Sequence, residues 1–478
     1  MRVRLRQFLT NQIFVSLLLL LVLPFSAARA QSILRDAETE AFLHEASDPL
    51  FIAAGLDPRS VHLYLLNENS INAFVAGGQN IFIHSGLILA ADDVNEFLGV
   101  MAHETCHIAC GHRVRRGDAA VVAGTTSILS MVLGAAAILA GGGDAGMGIF
   151  MAGQSMAQGQ FLAYTRGEES EADLAGARYL EESGVPGEGM IRFFDKLRDQ
   201  EILAQIRQDP YVRSHPLNRT RILQLQEAVE KSPFHEKGPD PELNEKFLRL
   251  KAKLAGYLFE PRRTLRDYPL SNTSASARYA RVYAYHKALE WDLALKEADA
   301  LIAMEPDNPY FYEIKGQILF ENGRVEESLP VFRRAVTLAP REPLISTALG
   351  QAMVSTEDDK MMAEAIPILE DATRQDRGNS FAWFNLAKAY AWVGREAEAS
   401  LATAERFYSA GAPMQAVMHA HRAMQAFDEG TPEWLRAQDI LYVSEEAAEK
   451  MRRYQEQQRR GQERRRFEGE AFTTSLSQ

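Results

Sequence analysis

A 34-residue period in the second half of the chain limits its fold more than any other feature. Met304-Glu-Pro306-Asp-Asn-Pro309 returns as Leu338-Ala-Pro340-Arg-Glu-Pro343, Gly316 returns as Gly350, and Ala294 aligns with Ser328. A small residue and then a proline, as at Ala335 and Pro340, close a helix–turn–helix unit. One such unit cannot bury its apolar face alone, so units must stack into a superhelix with a concave surface. A further unit follows around Asn379, Trp383, Leu386, Ala387, Tyr390 and Gly394, after a short insertion at Ser355–Asp359. Roughly four to five units fit between about 270 and 442.

This is the tetratricopeptide period, and such concave faces normally hold proteins or peptides. Plain helical packing with no ligand is the alternative.

The first half is organised around Val100-Met-Ala-His103-Glu104-Thr-Cys106-His107-Ile-Ala-Cys110-Gly-His112. His103 and His107 stand four apart, which on a helix puts both imidazoles on one face, about 5–6 Å from each other. Two converging imidazoles favour zinc, which takes nitrogen ligands in a tetrahedral site. Glu104 lies beside that face, where a carboxylate can take a proton from water activated at the metal. Two surface histidines on a polar helix would give the same pattern, but Phe97, Leu98, Val100, Met101 and Ala102 make this helix a buried one. Buried histidines need partners. Downstream, Glu168-Glu169-Ser-Glu171-Ala-Asp173 puts Glu169 and Asp173 on one helical face. One can bind the metal while the other holds a ligand histidine or acts on substrate. His215-Pro216 and Arg221-Ile222 add another histidine and an arginine.

Residues 60–225 resemble the gluzincin metallopeptidases of the HtpX and BepA type. The resemblance rests on Asn72-Ala73-Phe74, Gly77-Gly78 through His84-Ser85-Gly86, the His-Glu-x-x-His helix, Thr165-Arg166, Glu169-x-Glu-Ala-Asp173, His215-Pro216 and Arg221-Ile222. It implies zinc ligands His103, His107 and Glu169, one zinc per chain, and Glu104 as general base. It further implies that Asp173 supports the site or donates a proton. His215 becomes the loop histidine that fills the open zinc position at rest, and Arg221 a support for Asp173 or for charge developing on substrate. Gly167 departs from the polar or charged residue common at that place, without touching the ligand assignment.

The N-terminus reads as an address. Arg2, Arg4 and Arg6 precede an apolar run from Ile13 to Phe25, and Ala28-Arg29-Ala30 offers a cleavage site, so residues 1–30 read as a secretory signal peptide rather than an uncleaved anchor. Its removal takes four arginines and moves the formal charge from −12 to −16. A chain so acidic is a poor nucleic-acid binder. Hydrophobic content of 46% and charged content of 24% are ordinary for a globular protein. The two cysteines, Cys106 and Cys110, are expected as small buried thiols, because a disulfide within a helix is strained.

Residues 31–58 read as a leading helix, Val61–Leu66 as a strand, and residues 72–84 as a hairpin around Gly77-Gly78, together a small antiparallel sheet. Its last strand can bind extended peptide at an open edge or close as a structural strand. Residues 119–153 are apolar and glycine-rich, and read as paired helices over the site or at a membrane surface rather than a span. Ser232-Pro233 through Pro241 is a breaker-rich link.

The expected architecture is mainly α with a small sheet: a signal peptide at 1–30, a metalloprotease domain at 31–235, tetratricopeptide repeats at 236–442 and a charged, flexible tail at 443–478. The expected function is a periplasmic zinc endopeptidase in quality control or assembly of outer-membrane proteins. Its partners are misfolded or stalled barrel proteins and an assembly machine met through the repeats, with peripheral membrane contact through 119–153 and no nucleic acid. The alternatives are a chaperone-like adaptor with structural zinc and a membrane-embedded protease.

Overall fold

The computed structural model describes residues 33–112, 166–203, 215 and 219–475. The expectations for 1–30 and 119–153 lie outside these residues. Two helical masses follow one another, with one small sheet in the first. Among the described residues no helix is long and apolar enough to cross a membrane.

The sheet joins β1 (Ile33–Leu34), β2 (His62–Leu66), β3 (Ala73–Ala76) and β4 (Asn80–His84) in the order β1-β2-β4-β3. Alternation holds along most of the sheet and lapses where Leu66 and His84 are buried beside Leu65 and Ile83. Leu65, Val75, Ile81 and Ile83 face the core, while Tyr64, Phe82 and Phe74 stack on the other face at 5.1 and 5.2 Å. The sheet is mixed, not antiparallel as expected: β2 pairs with β4 in parallel. The hairpin closes tightly at Gly77 and Gly78, both at positive φ, and its second strand rather than its first lies against β2. Periodicity reports which face is buried, not which neighbour is chosen.

α1 (Ala37–Ala53) is capped by Asp36 and ends before Gly55, φ +74°. Short α2 (Ser85–Ala90) leads to α3 (Val94–Ala109). Asp93 caps α3 by accepting from the Glu96 N–H, and the Glu96 side chain accepts from the N–H of Asp92, one residue before the cap, which together fix where the helix starts. Helical residues 166–182 (α4), α5 (Glu188–Leu203) and α6 (Arg219–Glu230) complete the surround of α3.

α7 (Pro241–Leu258) and short α8 (Pro261–Asp267) come next. α7 stands on the repeat side of the breaker-rich link, yet it buries Phe247, Leu250 and Leu254 in the first core. Phe42, Phe97 and Phe247 meet there with centroids 5.8–6.4 Å apart, joining α1, α3 and α7.

The repeat pairs are α9 (Ala275–Lys287) with α10 (Trp291–Met304), α11 (Pro309–Glu321) with α12 (Val325–Leu338), α13 (Pro343–Val354) with α14 (Asp359–Gln375), and α15 (Ser380–Trp392) with α16 (Glu396–Ser409). α17 (Pro413–Ala426) pairs with α18, which runs through the charged stretch from Pro432 to Ser475. The recurring glycines have a steric cause. A Cβ on Gly316 would meet the Phe332 ring at 2.8 Å, and one on Gly350 would meet Leu369 at 2.5 Å.

Candidate metal centre

α3 carries His103, Glu104 and His107, all buried. Their helix is seated by glycines on both sides. A Cβ on Gly99 would lie 2.5 Å from the Met190 backbone, one on Gly189 2.4 Å from Asn95, and one on Gly176 3.2 Å from His103 N. α4 and α5 therefore approach α3 backbone to backbone, which brings the acidic face of α4 to the histidines.

Four donor atoms converge. His103 Nε2 and His107 Nε2 are 3.1 Å apart, and His215 Nδ1 lies 3.1 and 3.4 Å from them. Glu169 Oε2 is 3.4 Å from His103 Nε2 and 2.8 Å from His215 Nδ1, and Glu169 Oε1 is 3.7 Å from His107 Nε2. A tetrahedral ion with bonds of about 2 Å spaces its ligand atoms by about 3.3 Å. The donor set fits such an ion. His103, Glu104, His107 and His215 also offer ligand atoms all within 4.8 Å of one another. Of the two carboxylates, the better fourth donor is Glu169, whose oxygens reach three of the imidazoles. Glu104 faces His215 instead, Oε1 to Nε2 at 3.4 Å.

The remaining expected residues hold the donors. Asp173 Oδ1 is 3.0 Å from His103 Nδ1, which leaves Nε2 for the metal. Arg221 donates twice to Asp173, at 2.6 and 2.8 Å, and its Nη1 is 3.5 Å from Glu169. Burial raises both carboxyls, but His215 and His103 beside Glu169, and His103 and Arg221 beside Asp173, outweigh it and hold them below the usual range. Burial likewise opposes charge on His103, yet Asp173 and Glu169 raise it to about 9. His107 goes the other way, lowered by burial and then by its histidine neighbours. All seven residues expected at the site from sequence are thus brought together.

Two were not assigned a role from sequence. His112 Nδ1 lies 2.7 Å from His107 Nδ1, and His112 Nε2 lies 3.2 Å from Glu171. The available signal was Gly111, which marks the end of a helix and hence a change of direction before His112. The cysteines also differ from expectation: Cys106 and Cys110 form a disulfide. α3 ends at Ala109 and Cys110 is its cap, so the pair is not held inside a continuous helix. Their Cα atoms, 5.2 Å apart, have ordinary disulfide spacing.

Comparison with known proteins agrees with this geometry. The pattern of peptidase family M48 matches residues 37–229, and that of the tetratricopeptide repeat matches 279–343. The beta-barrel assembly-enhancing protease of Yersinia pestis is 25% identical over 74% of this chain and 73% of its own length. Its namesake in Escherichia coli (strain K12) is 26% identical over 74% and 72%. Metalloprotease YcaL of the same strain is 28% identical over 36% of this chain and 63% of its own. A solved tetratricopeptide-repeat protein, YrrB, aligns at 21% identity with a TM-score of 0.31, over 37% of this chain and 91% of that one. The chain carries a peptidase family M48 domain followed by tetratricopeptide repeats, and it is a metallopeptidase.

Proposed function

We propose that this chain is a periplasmic zinc-dependent endopeptidase acting in the assembly or quality control of outer-membrane β-barrel proteins. The convergence of His103 Nε2, His107 Nε2 and the Glu169 carboxylate, at 3.1–3.7 Å from one another, carries the reading. The names of the relatives support the substrate class, and the arginine-led apolar run ending in Ala28-Arg29-Ala30 supports the compartment. The repeats supply a surface for protein substrates or for an assembly partner.

His103, His107 and Glu169 would hold zinc, which when bound would supply a Lewis acid for the scissile carbonyl. Glu104, buried beside them, takes the proton of the attacking water and delivers it to the leaving amine. Asp173 keeps His103 in the tautomer that exposes Nε2, and Arg221 keeps Asp173 ionised. His215 stands among the donors and against Glu104, in the place that water and substrate need. In this reading His215 would have to leave before water and substrate reach Glu104.

Two variants test this. Glu104→Gln keeps the shape but not the base, and is expected to lose at least about a hundredfold in cleavage of an unfolded protein, the usual worth of a general base. Wild-type cleavage by that variant would remove the enzyme reading and leave an adaptor with structural zinc. His215→Ala is expected to raise basal cleavage severalfold; an unchanged rate counts against this reading of His215.

A further inference from the structure

We propose that His112 is a positioning residue for His107, itself held by Glu171, so that the second ligand histidine is oriented through a relay of three side chains. The proposal rests on His107 being a metal ligand. To offer the lone pair of Nε2, the His107 ring must carry its proton on Nδ1. That proton faces His112 Nδ1 at 2.7 Å. His112 must then accept at Nδ1 and carry its own proton on Nε2. Nε2 lies 3.2 Å from Glu171 Oε2, a carboxylate able to accept it. Each contact thus fixes the tautomer of the next ring, and a carboxylate closes the line.

The backbone places His112 for this task. Cys110 caps α3, its N–H bonded to Cys106 O at 2.6 Å, and the Gly111 N–H bonds to Ile108 O at 3.1 Å. Gly111 takes φ +66°, a left-handed turn that a side chain disfavours. The turn folds the chain back so that the His112 ring meets that of His107 edge to face, centroids 4.9 Å apart. His112 is fully buried, while the Glu171 side chain is about half exposed.

The arrangement parallels that of the first ligand. His103 is held by Asp173 directly, and His107 by Glu171 through one intervening ring. α4 thereby contributes three acidic side chains at alternate positions: Glu169 to the metal, Asp173 to one ligand histidine and Glu171 to the other. Partners of this kind typically govern metal affinity by a factor of roughly 10–100.

The test uses the full chain loaded with zinc, and reads zinc affinity and the rate of zinc release to a chelator. His112→Phe keeps a ring but offers no acceptor, and is expected to weaken zinc binding about 10- to 100-fold. His112→Gln presents a carbonyl to His107 and an N–H to Glu171, and is expected to recover most of that loss. Glu171→Ala, at a half-exposed position, is expected to speed release severalfold with no change in the melting temperature of the metal-free protein. This variant decides the matter if His112→Phe does not fold. Recovery by glutamine supports a hydrogen-bonded relay. Glutamine no better than phenylalanine, or Glu171→Ala with wild-type release, overturns it. His107→Ala separates the two readings. If it loses zinc while the His112 and Glu171 variants keep it, only the relay is wrong; if it also keeps zinc, the ligand assignment fails and the relay with it.

Discussion

Arg221 is the buried arginine of the centre. It is 2% exposed, grips both oxygens of Asp173 and lies 3.5 Å from Glu169, so together with His103 it keeps the Asp173 carboxylate charged out of water. Arg221→Met would break the buried pair with Asp173, a loss of about 3–5 kcal/mol. The measurement is denaturant unfolding of the metal-free protein, with Asp173→Asn in the same background recovering part of the loss. A midpoint that scarcely moves, as for an exposed pair such as Lys231–Glu227, would show that Arg221 holds nothing. The sequence exposed some of these residues and hid others for a physical reason. His103 with His107, and Glu169 with Asp173, are four apart on helices, and helical spacing alone puts such pairs on one face. His215 and Arg221 have no periodic relation to them and were placed by resemblance. His112 escaped because its role depends on the turn at Gly111, which reverses the direction that helical spacing assumes.

Helix α3 can carry a metal centre only because its neighbours come unusually close. Gly99 faces the Met190 backbone and Gly189 faces that of Asn95, each with no space for a methyl group. α5 then brings Phe194 edge-on to His103, centroids 6.0 Å apart. Gly189→Ala is expected to destabilise the fold by about 1–3 kcal/mol through overpacking and to weaken metal binding as α5 is pushed off. An unfolding midpoint equal to that of wild type would mean that the helices have slack the structure denies them. Such contacts are invisible in a single sequence, because a glycine within a helix looks the same whether it faces water or another backbone. The repeat glycines were legible, since Gly316 and Gly350 recur at the period of the unit and meet the partner helix in the same way. The strand neighbours were not: apolar alternation located β2, β3 and β4, but the parallel pairing of β2 with β4 depends on how the connection between β2 and β3 crosses, which no local pattern records.

The two halves are fastened by a charged junction that composition gave no hint of. Lys253 of α7 bonds Asp36 at 2.7 Å and Glu38 at 3.1 Å, Tyr279 of α9 donates to Glu38 at 2.8 Å, and Arg35 reaches Asp376 at 2.7 Å. The beginning of the metallopeptidase domain is thereby held against the repeats, with Ala37 packed among Ala335 and Ile345. Glu313 of α11 stands in the same junction and is out of balance. Burial first, and then the charges of Asp36 and Glu38, outweigh the nearby Lys253 and push its carboxyl up to about 8 from an ordinary 4.5. In the unfolded chain that proton leaves near 4.5, so between 4.5 and about 8 the folded form binds more protons. Stability must then fall as pH rises through that window. Glu342, raised to about 6, acts with the same sign and completes its titration earlier. Asp36 is lowered instead and has lost its proton below this range, so its contribution stays constant there. His103, raised to about 9, acts with the same sign across pH 6 to 8, so the share of Glu313 is read as the difference between wild type and a variant that cannot ionise at that position. Glu313→Gln cannot ionise, and its melting temperature is expected to gain on that of wild type as pH rises across the interval, with little difference at pH 5. Melting curves that stay parallel from pH 5 to 8.5 would place the Glu313 carboxyl in ordinary solvent, and the junction would then be an assembly of surface pairs worth little rather than the clamp that sets the metal centre against its repeats.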